Sequence, residues 1–169
     1  MILQWKALPA VLAALAVAGL STPTHAKRQT SRMTARLKLL PSCKMQVTDL
    51  LFGRVNGTSV QVDAQTPIIV TCGPQIPYAI TIDNGQNFTG GTRRMRNGGS
   101  NGQGVPQYVP YTLFRNSART LAWGNSPLTT FYGNSGSGGS VNIPIYGRVT
   151  NAKVFARAYT DIVTITISY

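Results

Sequence analysis

Tyr159-Thr160-Asp161-Ile162-Val163-Thr164-Ile165-Thr166-Ile167-Ser168-Tyr169 alternates without a break. Tyr159, Asp161, Val163, Ile165, Ile167 and Tyr169 fall on one side of an extended chain. Thr160, Ile162, Thr164, Thr166 and Ser168 fall on the other. A period of two held over eleven residues rich in β-branched side chains predicts a single strand. The sequence ends inside the pattern, so this strand is expected either to take both partners from earlier in the chain or to keep an open edge.

A second stretch repeats the pattern near the other end. In Ser31-Arg32-Met33-Thr34-Ala35-Arg36-Leu37-Lys38-Leu39-Leu40, the apolar set Met33, Ala35, Leu37 and Leu39 alternates with Arg32, Thr34, Arg36 and Lys38. Three cations on one face keep that face out of any core. Between the two stretches, short apolar runs separated by Gly, Pro, Asn and Ser predict strands over Met45–Arg54, Ser59–Asp63, Pro67–Cys72, Tyr78–Asp83, Val109–Arg115 and Val141–Val149. No segment carries a long apolar helical period. About seven strands in one domain suit a β-sandwich. Thr89 to Gly104, rich in Gly, Asn and Arg, reads as a long loop with a short strand near Arg94 and Met95, and Gly133 to Ser140 as a Gly/Ser turn.

The start of the chain has another character. Lys6, the apolar run Leu8 to Leu20 and the small-residue site Thr24-His25-Ala26 have the layout of a secretory signal peptide over residues 1–26. The run is shorter than the ~20 apolar residues that cross a bilayer. Removal of residues 1–26 takes away the one His and leaves fifteen Lys and Arg against four acids: Asp49, Asp63, Asp83 and Asp161. The chain contains no Glu. General acid–base catalysis draws mostly on His and Glu, so no catalytic residue is assigned and no enzyme is expected. Cys43 and Cys72 are 29 positions apart. In an exported chain an even pair of cysteines implies a disulfide. Two Cys without His make neither a zinc site nor an activated thiol, so no metal and no cofactor are expected.

Four motifs in order resemble one family. Tyr111-Thr112-Leu113-Phe114-Arg115-Asn116-Ser117-Ala118-Arg119-Thr120-Leu121-Ala122-Trp123-Gly124 is similar to the signature Y-x-L-Y-x-D-x-x-R-T-x-x-W-G of the spore coat protein U domain, with Asn116 in place of Asp. Ile143 to Val149 resembles its V-Y-G-R-I segment, and Tyr159 to Tyr169 its ending. Cys43, Leu51-Phe52-Gly53 and Val70-Thr71-Cys72 fit its opening. The family includes subunits of archaic, Csu-type chaperone–usher pili. The resemblance implies an all-β, incomplete immunoglobulin-like β-sandwich that lacks its last strand and is completed by donor-strand exchange. It also implies a bonded Cys43 and Cys72.

On that resemblance the chain divides into a signal peptide over 1–26, a donor-strand extension over 27–40 and a pilin domain over 41–169. The donor side chains are Met33, Ala35, Leu37 and Leu39; the acceptor groove is walled by Val163, Ile165, Ile167 and Tyr169. The expected partners are a periplasmic chaperone, an outer-membrane usher and other pilin subunits in a linear polymer, with export through the periplasm to the cell surface and a role in adhesion or biofilm formation. A secreted coat or matrix protein and a surface-binding adhesin module are the alternatives. No nucleic-acid partner is expected, because export and the lack of a recognition motif weigh against the positive charge. Arg93, Arg94 and Arg96 read either as a solvated loop or as a contact for an anionic surface. Arg119 and Arg148 are expected in structural ion pairs, with Asp161 as a candidate partner. Trp123 and Tyr111 are expected in the core or on its rim.

Overall fold

The computed structural model describes residues 27–56, 61–98 and 106–169; residues 1–26, expected to be a signal peptide, lie outside them. Residues 27–42 form no strand. Among the described residues of the unit spanning Lys38–Tyr169, nine strands form two antiparallel sheets. They are β1 (Cys43–Val47), β2 (Val62–Cys72), β3 (Pro77–Ile82), β4 (Arg93–Asn97), β5 (Tyr108–Phe114), β6 (Phe131–Asn134), β7 (Gly139–Val149), β8 (Tyr159–Thr160) and β9 (Ile165–Ser168). The larger sheet runs β1-β2-β7-β5-β4-β8 and the smaller runs β6-β3-β9.

Alternation decides which side chains meet between the sheets. Ile68, Val70 and Cys72 of β2, Val109, Tyr111 and Leu113 of β5, and Ile143, Ile145 and Val149 of β7 are buried at every second position. Tyr78, Ile80 and Ile82 of β3 answer them from the small sheet. Trp123 is fully buried among them and donates its indole N–H to the Ile80 carbonyl at 3.0 Å. Trp123 and Tyr111 are thus core residues.

β2 joins the two short strands expected over Ser59–Asp63 and Pro67–Cys72, of which residues 59 and 60 lie outside the described set. Pro67 lies directly opposite Pro144 of β7. Neither has an N–H, so this cannot be a hydrogen-bonded pair, and both missing donors fall on the outer sides of the strand pair. On those sides the neighbours have already ended: β1 stops at Val47, opposite Ile68, and β5 at Phe114, opposite Tyr146. Two prolines therefore sit in inner strands without an orphaned acceptor, and the extended chain continues through them.

Two further expectations are corrected. Met45–Arg54 is a strand only to Val47; its later half crosses Gly147 of β7, where a Cβ would collide with Leu50 and Phe52. β6 went unrecognised because it is four residues long and contains Gly133, against which the Tyr78 ring packs. The short strand expected near Arg94 and Met95 is β4, and residues 99–105 lie outside the described set. Arg93 is buried there and donates to the carbonyls of Asp83 (2.8 Å), Ile82 (3.0 Å) and Trp123 (3.0 Å). Arg94 lies 4.1 Å over the Tyr108 ring, and Arg96 is exposed.

The ion-pair partner of Arg119 and Arg148 is Asp63, not Asp161. Arg148 holds it through two nitrogens at 2.7 and 2.8 Å, and Arg119 approaches to 3.5 Å. Asp63 and Arg148 are cross-strand neighbours on β2 and β7, a geometry that pairs opposite charges. Asn116 replaces the acid of the signature without losing its acceptor: its Oδ1 takes the N–H groups of Thr120 and Leu121.

The disulfide joins Cys43 and Cys72. They face each other in the register of β1 and β2, so the bond staples an edge strand to its neighbour.

Candidate strand-acceptor groove

The C-terminal stretch keeps its alternation but not its sheet. β8 pairs with β4 in the large sheet, whereas β9 pairs with β3 in the small one. Residues 161–164 carry the chain across. Two carboxylates fix the crossing. Asp161 accepts from Gln86 N (3.1 Å), Asn87 N (3.3 Å), Asn87 Nδ2 (2.9 Å) and the Tyr111 hydroxyl (2.8 Å). Asp83 accepts from Gly85 N and Thr164 N, each at 2.9 Å. Backbone bonds from Asp83 N to the Thr164 carbonyl and from Gln86 N to the Ile162 carbonyl complete the seam.

The electrostatics follow this bonding. Burial pushes the Asp83 carboxyl up, but the Thr164 and Gly85 hydrogen bonds and the nearby Arg93 outweigh it and leave the pKa below the ordinary range. Burial, then the hydrogen bond to Asp161, pushes the Tyr111 phenol well above its usual value. Burial draws the Arg93 guanidinium down, while Tyr111, Asp83 and Asp161 pull it back.

Beside the crossing lies an open groove of about 1110 Å³. Its floor is the core face of the large sheet: Met95, Val109, Tyr111, Leu113, Ile145 and Val149. One rim is residues 47–55, and the other is the stretch from Ala152 to Val163, continued by Ile165 of β9. Thr66 Oγ1 donates to the Thr48 carbonyl, and Phe52 meets Tyr111 edge-on at 6.2 Å, which holds the first rim against the floor.

The two inward-facing strands of the small sheet are unequally covered. Ile80 and Ile82 of β3 are completely buried, whereas Val163, Ile165 and Ile167 are only half-buried. Among the described residues β9 has β3 as its one strand partner, and its other edge is unpaired there. Leu51 (77% exposed), Ile162 and Phe155 add apolar surface along the rims. An apolar trough beside a free strand edge can take an extended segment, which would bury side chains in the trough and extend the ladder.

Of the residues expected as acceptor walls, Val163 and Ile165 line the groove. Ile167 packs on the core beyond the groove lining, and Tyr169 is exposed. Among the expected donor residues, Met33 (91% exposed), Ala35, Leu37 and Leu39 are all exposed. Sequence reasoning missed the first rim, Leu50 and Phe52, and the contribution of Ala152 and Val154 to the second; Gly147, placed where the chain must pass close, was the available signal.

The domain model of the Spore Coat Protein U domain matches residues 29–166. The chain belongs to the Spore Coat Protein U domain family. No curated protein matches it. The crystal structure of the CsuC–CsuE chaperone–tip adhesion subunit pre-assembly complex, from the archaic chaperone-usher Csu pili of Acinetobacter baumannii, resembles this spore coat U domain with a TM-score of 0.58 and 21% identity. The match covers 77% of this chain and 40% of that one. A chaperone–tip adhesin complex of CFA/I fimbriae matches with a TM-score of 0.43 and 13% identity, over 73% of this chain and 41% of that one. The spore coat U chain thus spans less than half the length of either solved chain. The first likeness supports the two-sheet, all-β architecture of an immunoglobulin-like fold.

Proposed function

We propose that this spore coat U domain is a structural subunit of a secreted surface fibre, held by a periplasmic chaperone during export and assembled through an outer-membrane usher by strand donation. The observation that carries this reading is the open groove of about 1110 Å³ beside the edge of β9 that has no strand partner among the described residues. The occupant is the segment 31–39 of the next subunit, with Met33, Ala35, Leu37 and Leu39 turned inward. Val163 and Ile165 form the acceptor wall, with Ile167 and Tyr169 towards its end. Full burial of each large aliphatic is worth roughly 1.5–3 kcal/mol before ordering costs. The cysteine pair and the segment 1–26 support passage through an oxidising compartment. The subunit works by assembly rather than catalysis, and the fibre serves attachment or biofilm formation.

Deletion of residues 27–39, with the export segment kept, tests the reading when the chain is co-expressed with its chaperone and usher. The shortened subunit is expected to co-purify with the chaperone and to give no fibres by electron microscopy. Normal fibres made of the shortened subunit alone would overturn the donor assignment.

A further inference from the structure

The chain has four acids after residue 26, and three are committed. Asp63 is paired with Arg148 and Arg119, Asp83 receives two backbone amides, and Asp161 receives four donors. Asp49 is exposed and makes no hydrogen bond or ion pair among the described residues. It stands on the first rim of the groove. Its neighbours Leu50 and Phe52 turn inward, whereas Asp49 and Leu51 are exposed.

The segment read as the donor carries the complementary charge on the matching face. With Met33, Ala35, Leu37 and Leu39 inward, Arg32, Arg36 and Lys38 point outward, as Asp49 does. Residues on the same face of adjacent extended chains approach to ~5 Å between Cβ atoms, and opposite charges there attract while like charges repel. The groove also carries Arg54 and Arg157. A donor cation therefore finds one uncommitted carboxylate on the rim and two cations to avoid. A one-residue slip would turn the apolar side chains outward. A two-residue slip preserves that burial, so hydrophobicity alone does not choose between such registers.

We infer that Asp49 fixes the register of the incoming strand of a second copy of this chain by pairing with one cation of its basic face, Arg32, Arg36 or Lys38. This rests on the strand-donation reading. Apolar burial supplies the bulk of the attraction, and Asp49 selects among registers two residues apart.

The test uses the chaperone-held subunit and a synthetic peptide of residues 27–40, with chaperone displacement followed by native gel and mass spectrometry. The wild-type peptide is expected to displace the chaperone. Asp49→Lys should slow that displacement roughly fivefold, and Asp49→Asn should slow it less. Against the Asp49→Lys subunit, peptides with Arg32→Glu, Arg36→Glu or Lys38→Glu are compared one at a time. Restoration by one of the three and not by the others supports the pairing. Equal restoration by all three reflects bulk charge and overturns it, as does no restoration, or an unchanged rate with Asp49→Lys. Failure of the wild-type peptide to enter the wild-type subunit overturns strand donation itself, and the register assignment with it.

Discussion

Asp161 holds a phenol and three N–H groups in one half-buried position. Asp161→Ala strands the buried Tyr111 hydroxyl without an acceptor, so a loss of about 2–3 kcal/mol is expected. Tyr111→Phe removes the hydroxyl and leaves the carboxylate its three nitrogen donors, which is expected to cost about 1 kcal/mol. Urea denaturation midpoints of the two variants check this order. Asp83 and Asp63 both have carboxyls held below the ordinary carboxylate range, Asp83 as described and Asp63 chiefly by the Arg148 hydrogen bond. A folded-state pKa below the unfolded one gives stability that is present above about pH 4 and is lost as the pH falls through the folded value. Tyr111 is shifted the other way, so its contribution is present below about pH 10 and is lost as the pH rises towards the folded value. Stability measured against pH is expected to fall at both ends, and Tyr111→Phe is expected to remove Tyr111's contribution to the alkaline fall.

At the scale of elements, the turn after β3 and the crossing 161–164 are built against each other. Gly85 has φ 76°, and a Cβ there would strike the Asp161 carboxylate. Gly85→Ala is expected to cost about 2–3 kcal/mol, from left-handed backbone strain together with the displaced carboxylate. In the Asp161→Ala background the cost is expected to shrink towards the strain alone, which a double-mutant cycle in urea measures. Among the described residues β9 has one bonded edge and one open one. In the chaperone-free subunit its outward-directed amides are expected to exchange with deuterium much faster than those of β3 near Ile80, and to become protected when the peptide of residues 27–40 is bound. Equal protection before and after binding would show that the peptide does not pair with β9. Strand existence was legible here, since Ile165–Ser168 and Tyr159–Thr160 both lie inside the alternating stretch. Sheet membership was not: side-chain alternation is a local property, and the seam depends on Asp83 and Gln86, some eighty positions away.

For the whole molecule, the disulfide and the groove act at opposite sides of the same problem. A sandwich with an open core face has less buried apolar area to offset chain entropy. The Cys43–Cys72 bond closes a separation of 29 residues and is expected to contribute about 3.6 kcal/mol on the chain-entropy account. The double variant Cys43→Ser with Cys72→Ser should therefore unfold at a markedly lower temperature in a calorimetric scan. It should also regain part of that loss when the groove is filled, because binding stabilises the folded state by mass action.

What the amino-acid order determined by itself is what depends on neighbours in the chain: the two alternating stretches, the all-β character, the oxidisable cysteine pair, the family motifs and the shortage of acids and His. What only the tertiary structure decided is partner choice. Asp63 rather than Asp161 took the two arginines because β2 and β7 are adjacent in register. Arg93 left the solvent because the carbonyls of Ile82, Asp83 and Trp123 converge on it. The prolines at 67 and 144 were admitted to inner strands because they face each other where β1 and β5 have already ended. Charges, carbonyls and missing N–H groups act through space over a few ångströms, and only folding brings distant positions within that range.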